Sequence, residues 1–490
     1  MKLSILSLSL WCLTAWVLPT PAATPAKPNI VLILADDLGH GHVSCFNPQS
    51  LIKTPRVDRL ASEGIRLTDA HSGSAVCSPT RYGILTGRYA WRTRLKSGVL
   101  VPYDPPLIEK DRLTLPAMLR QQGYRAACIG KWHLGWEWPG GKAGPHDFTA
   151  PITEGPTTRG FDYYFGTDVP NYPPYAFIEN DRLTTQPTAE KPAANLDGRV
   201  GPMAPGWQFD AILPELTRRS VNYIERCAKE KQPFFLFMTL TSPHEPIAPS
   251  AGFRGKSGLD SPLADFIIET DATVGAVVDA VQRAGIVENT LVIFTADNGS
   301  SLYSGAADLQ KKGHAPSAGF RAAKGSIYEG GHRVPFVARW PGRIAAGSRS
   351  DRTVCLTDFM ATFAALTGAR LPADSAEDSF DMLPVLLGRS EAAVRGAVVH
   401  QSASGRLAIR EGPWKLVLPG ALLPGNLTKP AGGKKGRPNT SGEPTERQLY
   451  NLVQDPGETN DVIAAHSDIE KRLADLFARF QTDGRSRPRE

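Results

Sequence analysis

Short, unbroken apolar runs recur along the chain, separated by stretches of helical period. Ile30–Ala35 reads IVLILA, Phe234–Leu240 reads FFLFMTL and Leu291–Ala296 reads LVIFTA; a shorter run spans Ala126–Ile129. Runs without in-out alternation mark strands that are covered on both faces. The clearest helix follows Ser261-Pro262, with proline at its first position. Its apolar stripe passes through Phe266, Ile267, Val274, Val277, Val278 and Val281, and Gly285 ends it just before the Leu291 strand. This alternation predicts an α/β fold with a large, mostly parallel sheet flanked by helices. Near position 390 the pattern shifts to short antiparallel segments, Leu407-Ala408-Ile409 and Lys415–Leu418 among them. A Gly-, Pro- and Lys-rich loop from Gly420 to Arg447 and an amphipathic helix from Asp468 to Phe480 follow. The expected layout is a leader at 1–26, a large domain at 27–388 and a smaller C-terminal α+β domain with an antiparallel sheet at 389–490.

The first 26 residues do not belong to this pattern. Lys2 precedes an apolar run from Leu3 to Leu18, and small residues surround Ala22, Ala23 and Ala26. This is the form of a cleaved secretory leader; as a membrane anchor the run is too short and is interrupted by Ser4, Ser7 and Ser9. The expectation is an exported protein without stable membrane insertion. The chain has 490 residues, 41% of them hydrophobic, and a formal net charge of +6. The positive excess is thinly spread, with no basic stripe carrying interleaved aromatics, which argues against a nucleic-acid partner. Six cysteines in this length cannot form a dense disulfide scaffold, and none are spaced as zinc ligands.

The apolar runs end alike. Ile30–Ala35 leads into Asp36-Asp37, the Phe234 run into His244, Leu291–Ala296 into Asp297-Asn298, and Ala126–Ile129 into Gly130-Lys131-Trp132-His133. In an open α/β sheet, ligands bind outside the carboxyl ends of the strands, so these residues form a candidate active site. Asp36, Asp37, Asp297 and Asn298 offer hard oxygen donors, which suit Ca²⁺ or Mg²⁺ better than zinc. A single aspartate after a strand is more simply a helix cap; two pairs at similar strand ends favour a metal. Lys131, His133 and His244 have the chemistry to hold an anion and move protons. In Ala75–Arg88 (AVCSPTRYGILTGR), Pro79 suits a first helical turn and Gly87 an end. That places Cys77 at a helix N-terminus, with Arg81 one turn along on the same side. On position alone, its thiol is expected to have a lowered pKa.

Cys77-Ser78-Pro79-Thr80-Arg81, extended by Leu85-Thr86-Gly87-Arg88, resembles the signature of the type I, formylglycine-dependent sulfatases of the alkaline-phosphatase-like superfamily. The likeness runs through NIVLILADDLG at 29–39, GKWHLG at 130–135, GFDYYFG at 160–166, Ser242-Pro243-His244, TADNG at 295–299, KGSIYEGGHRVP at 324–335 and LYNLVQD at 449–455, in the family's order. The resemblance implies that a separate maturation enzyme oxidises Cys77 to formylglycine. Asp36, Asp37, Asp297, Asn298 and the modified Cys77 would hold a divalent cation, calcium rather than magnesium. Lys131, His244 and Lys324 would contact the sulfate ester, and Arg81 would hold the aldehyde hydrate. One hydrate oxygen would attack sulfur in line while His244 protonates the leaving oxygen. His133 would then take the second hydroxyl's proton, re-forming the aldehyde and expelling sulfate.

The resulting expectation is an exported sulfatase acting on a sulfate ester, of a carbohydrate by the habit of the family, with aryl sulfates also accepted. Two alternatives are a phosphodiesterase or phosphonate monoester hydrolase on the same scaffold, and a catalytically silent module that binds sulfated glycan. Substrate selection is expected in loops such as Val169–Asn180 and Gly252–Pro262. His314, in a Gly-rich stretch before Lys324, either reaches the substrate or belongs to a surface loop.

Overall fold

The computed structural model describes residues 27–192, 198–390, 392–420 and 445–489. The leader at 1–26 and most of the Gly420–Arg447 loop lie outside these residues. The four apolar runs are strands, at Asn29–Ala35, Arg125–Lys131, Phe234–Thr239 and Thr290–Ala296. They stand together in a ten-stranded sheet. Its order is Ser348–Ser350, Ile65–Leu67, Phe336–Arg339, Thr290–Ala296, Asn29–Ala35, Phe234–Thr239, Arg125–Lys131, Tyr163–Thr167, Ile178–Glu179, Arg182–Leu183. The central five strands, from Thr290–Ala296 to Tyr163–Thr167, are all parallel. Their near-total burial follows from helices on both faces, as the continuous apolar runs require. The flanks are mixed: Phe336–Arg339 runs antiparallel to both neighbours, and Ile178–Glu179 and Arg182–Leu183 form an antiparallel hairpin at the other edge. These short edge strands lack the long apolar runs by which the centre was recognised.

The long helix spans Pro262–Arg283, capped by Ser261 Oγ accepting the Ala264 N–H at 3.3 Å, and Gly285 follows at φ +68°. Among the described residues, no helix is long and apolar enough to cross a membrane. The five described cysteines are free thiols.

A separate four-stranded antiparallel sheet, Val398–Gln401, Leu407–Glu411, Trp414–Val417 and Gln448–Asn451, carries the helix Ser467–Thr482. It is bonded to the large sheet's loops. Gln401 O accepts the Ala75 N–H at 2.8 Å, Ala75 O accepts the Gly325 N–H at 2.8 Å, and Gly325 O accepts the Ala403 N–H at 2.8 Å. A buried ionic cluster seals the same junction. Arg410 makes a two-pronged contact with Asp69 at 2.9 Å, and Lys415 Nζ lies 3.2 Å from Glu329 and 2.8 Å from Glu458. Arg333 bridges Glu329 and Asp69 at 3.1 and 3.2 Å. His71, His332 and His400 fill the remaining space, the last two stacked at 3.7 Å. Burial holds all three imidazoles below their ordinary pKa range. His71, Glu329, His332 and His400 could by position hold a metal ion, but Lys415 already supplies positive charge there, and three cations meet three carboxylates.

Removing Lys415 would leave Glu329 and Glu458 buried without their common partner. Lys415→Met is expected to lower unfolding free energy by about 3–5 kcal/mol, as for other broken buried pairs. A denaturant melt with an unchanged midpoint would show that the cluster does not hold the junction.

Candidate active site

Strand register assembles the site. Ala35 is level with Ala296, so Asp36 and Asp297 leave the sheet side by side; Leu34 is level with Thr239, and Thr239 with Gly130, so Lys131 arrives in the same row. Two close approaches make this possible. A Cβ on Gly130, at φ +130°, would lie 1.7 Å from Thr239 O, and one on Gly299 would lie 1.9 Å from Gly330 O. Glycine is the residue these positions admit. Asp37 and His133 adopt left-handed conformations, at φ +64° and +56°. Such strain concentrates at functional sites; it directs Asp37 away from the sheet path that Asp36 follows.

Cys77 opens a fully buried helix, Cys77–Thr86, with extended Val76 before it and left-handed Gly87 at its end. The thiol donates to Asp36 Oδ1 at 3.4 Å and reaches Asp37 Oδ1 at 3.9 Å. Arg81 faces the same way: Nε and Nη2 donate to Asp297 Oδ2 at 3.0 and 2.8 Å, and Nη1 to Lys131 O at 2.8 Å. Lys131 Nζ lies 2.6 Å from Asp36 Oδ2, and Lys324 Nζ 2.6 Å from the Asp37 carboxylate. Asn298 Nδ2 donates to Asp37 Oδ1 at 2.8 Å, while its buried Oδ1 has no partner. His244 Nε2 stands 3.9 Å from Asp37 Oδ2. The ten residues singled out in the sequence, Asp36, Asp37, Cys77, Arg81, Lys131, His133, His244, Asp297, Asn298 and Lys324, thus line one cluster of buried charge.

The electrostatics follow from that crowding. Burial lifts the Asp297 carboxyl, and the neighbouring Asp36 charge lifts it further, to about 6 against the pull of Arg81. Burial also acts to raise Asp37, but Lys324, His244 and Lys131 together outweigh it and hold this carboxylate well below its usual range. Lys131 and Lys324 are pushed down by burial but raised on balance by the carboxylates and Cys77, so both stay protonated. The thiol behaves contrary to the sequence expectation. Burial, then Asp297, raises Cys77 above the ordinary thiol range, which overrides the helix N-terminus and the two lysines. Cys77 is therefore not a ready thiolate.

The histidine tautomers can be assigned from their partners, since a carbonyl only accepts. His133 Nε2 donates to Leu100 O at 3.0 Å, leaving its buried Nδ1 as an unpartnered lone pair. His244 Nδ1 donates to Glu245 O at 2.6 Å, leaving Nε2 facing the cluster. Burial, followed by Lys131, holds both rings well below the ordinary imidazole range. His314 is neither a surface residue nor part of this cluster. It is 2% exposed; Nδ1 accepts the Leu51 N–H at 3.4 Å, and Nε2 lies 2.9 Å from His42 Nδ1, which makes Nε2 the donor. His42 Nε2 in turn lies 2.7 Å from Ser300 Oγ, and Ser300 O accepts the Lys324 N–H at 3.0 Å. The His314–His42–Ser300 chain thus supports the loop from which Lys324 projects. His42 gave no signal in the sequence, because its partners lie far away along the chain.

The donor set fits a divalent cation. Asp36, Asp37, Cys77 and His244 present ligand atoms within 4.8 Å of one another, Asp297 Oδ1 accepts the Asp37 N–H at 3.2 Å beside them, and the buried Asn298 Oδ1 has no partner among the described residues. The oxygen-rich character suits a hard cation.

Comparison with known proteins agrees with this geometry. The family model described as Sulfatase matches residues 28–369. An N-acetylgalactosamine-6-O-sulfatase of Bacteroides thetaiotaomicron is 33% identical, with 93% of each chain covered. Arylsulfatase A of Bos taurus is also 33% identical, covering 94% of this chain and 88% of the relative. A solved structure from a Bacteroides thetaiotaomicron locus for the metabolism of multiple glycosaminoglycans superposes with a TM-score of 0.82 at 30% identity, covering 93% of this chain and all of that one. The chain belongs to the sulfatase family of the alkaline-phosphatase-like superfamily, and is a sulfuric ester hydrolase.

Proposed function

We propose that the protein is an exported carbohydrate sulfatase that removes a sulfate ester by way of a formylglycine made from Cys77, with a maturation enzyme as its partner in the cell. The single observation that carries this reading is the placement of Cys77 among Asp36, Asp37, Lys131 and Lys324 at the strand ends. There a raised thiol pKa makes thiolate chemistry unfavourable and conversion to another nucleophile useful. The saccharide substrate is supported by the relative named for N-acetylgalactosamine 6-O-sulfate, and aryl sulfates by the arylsulfatase relative. Export rests on the leader in 1–26. The catalytic unit is taken as 27–388 and the smaller unit as 389–490.

Asp36, Asp37, Asp297, Asn298 and position 77 would hold the divalent cation, calcium by preference, which when bound supplies positive charge against the sulfate oxygens. A formylglycine supplies a nucleophile as its hydrate and, by elimination, an exit for sulfate that a serine lacks. The remaining work falls to side chains. Lys131 and Lys324, each paired with a carboxylate, are placed to turn their ammonium groups to the sulfate. Arg81, fixed by Asp297 and Lys131 O, orients the oxygen at position 77. His133, neutral with a free Nδ1, has the form needed to accept a proton. His244 faces the cluster through Nε2, and must be protonated there to act as an acid. Burial and Lys131 oppose that, whereas Asp37 and an incoming sulfate monoester anion favour it. Losing one preorganised donor to the developing charge costs roughly 2.7–4 kcal/mol, and losing a positioned acid or base about 10²–10⁴-fold.

Three outcomes are expected. Asp297→Ala removes an anionic donor and strips Arg81 of its partner, so calcium content by elemental analysis falls and activity drops by about 10²–10³-fold. Full metal content in this variant would take Asp297 out of the donor set. His244→Ala is expected to slow alkyl sulfates, with their basic leaving alcohols, by about 10²–10⁴-fold, and nitrophenyl sulfate much less. Equal losses on both would deny it the acid role. The peptide containing Cys77 should weigh about 18 Da less than its thiol form, the difference between thiol and aldehyde on oxidation. Turnover should follow the converted fraction and favour sulfate esters over phosphate diesters. Unconverted protein that hydrolysed sulfate esters equally fast would falsify the formylglycine route.

A further inference from the structure

Arg81, Lys131 and Lys324 each have a carboxylate partner within the cluster. Arg199, close by, has none: among the described residues no carboxylate lies within ion-pair reach of it, and it is exposed. It is nevertheless held in place. Its N–H donates to Asn171 O at 3.2 Å, and its carbonyl accepts the Tyr175 hydroxyl at 2.6 Å. Its guanidinium carbon lies 4.5 Å from the centre of the Tyr172 ring. Tyr172 is itself fixed: it is 8% exposed, its hydroxyl donates to Leu100 O at 3.3 Å, and its ring meets His133 edge-on at 5.7 Å. Leu100 O is also the carbonyl that fixes His133. Burial raises the Tyr172 hydroxyl above the ordinary phenol range, against the opposing pull of Arg199 and Lys131. One aromatic ring therefore separates a guanidinium that has no carboxylate partner among the described residues from the reaction centre, and both are referred to the same backbone carbonyl.

We infer that Arg199, presented on Tyr172, is a specificity residue that binds a second anionic group of the substrate, a carboxylate or sulfate on the sugar next to the one bearing the scissile ester. This rests on the sulfatase reading of the site and extends it to a substrate class, acidic oligosaccharides. The scissile sulfate belongs among Lys131, Lys324 and position 77; the Tyr172 ring stands between that group and Arg199, so a single sulfate cannot use both. Stacking on tyrosine keeps the planar guanidinium oriented while leaving its N–H edges free for two-pronged recognition of a carboxylate or sulfate. A lysine at this position would keep the charge but lose the fork.

The test uses the matured enzyme and five substrates: 4-nitrophenyl sulfate, a monosulfated N-acetylhexosamine, a disaccharide joining that sugar to a uronate, the same disaccharide with the carboxylate methyl-esterified, and a disulfated disaccharide. The disulfated disaccharide distinguishes sulfate from carboxylate as the anion. Arg199→Met preserves the apolar stem over Tyr172 and removes the charge. On the acidic disaccharide, kcat/KM is expected to fall about 10–100-fold through KM with kcat unchanged, the range of a hydrogen bond to a charged group. Arg199→Lys should recover part of the loss. On the two monosubstituted substrates and the methyl ester, wild type and Arg199→Met should agree within about twofold. An equal fall on nitrophenyl sulfate would assign Arg199 a structural role and overturn the inference, as would unchanged kinetics on the acidic disaccharides or a wild-type preference for the methyl ester. A matured wild type that releases sulfate from none of these substrates would remove the sulfatase reading itself.

Discussion

Three buried carboxylates meet two buried cations and the partly exposed Lys324 at the carboxyl ends of parallel strands, and the rest of the molecule is arranged to make that tolerable. Asp36, Asp37 and Asp297 would repel one another in a low-dielectric site. Arg81, Lys131 and Lys324 neutralise them pairwise over 2.6–2.8 Å. Burying such charges costs several kcal/mol each unless every one is paired and hydrogen-bonded. The central sheet meets that cost by rigidity. Its register brings Asp36 and Asp297 together, and glycines at 130 and 299 let neighbouring backbones approach where any side chain would collide. The balance is incomplete by design of the donor set: Asp297 is lifted to about 6 and Asn298 Oδ1 has no partner. An added cation would relieve both features.

The same crowding decides what Cys77 can be. At an exposed helix N-terminus a thiol would ionise readily. Here it is sealed between Asp36 and Asp37, and a thiolate would be a further negative charge among carboxylates. The helix therefore serves to fix the position of residue 77, with Arg81 one turn along, rather than to activate a thiolate.

The C-terminal sheet belongs to this arrangement. Gln401 and Ala403 bond the loop before Cys77 and the loop after Lys324, and these two loops bond each other through Ala75 and Gly325. Behind them, Lys415 holds Glu329, whose turn carries the Gly330–Gly331 backbone that packs on Gly299 beside Asn298. A second, neutral support runs from His314 through His42 to Ser300. Cys77, the strand-end carboxylates and Lys324 are thus braced from two sides by groups outside their cluster.

The sequence by itself determined the central strands, because only strands buried on both faces carry such continuous apolar runs, and it determined which residues meet, because parallel strands deliver their carboxyl ends to one edge. The ordered motifs around Cys77, Lys131, His244, Asp297 and Lys324 then gave the family. Tertiary structure alone decided the rest. The antiparallel edge strands are two to four residues long, too short for periodicity to register. The His71–Glu329–His332–His400–Lys415 cluster and the His42–His314 pair join positions hundreds of residues apart, and a lone histidine or lysine has no local signature. The direction of the Cys77 shift was hidden for the same reason: position at a helix end is local, but burial among carboxylates is set by strands far away in the chain. Arg199 stands beside the site only because the fold lays Tyr172 between it and His133.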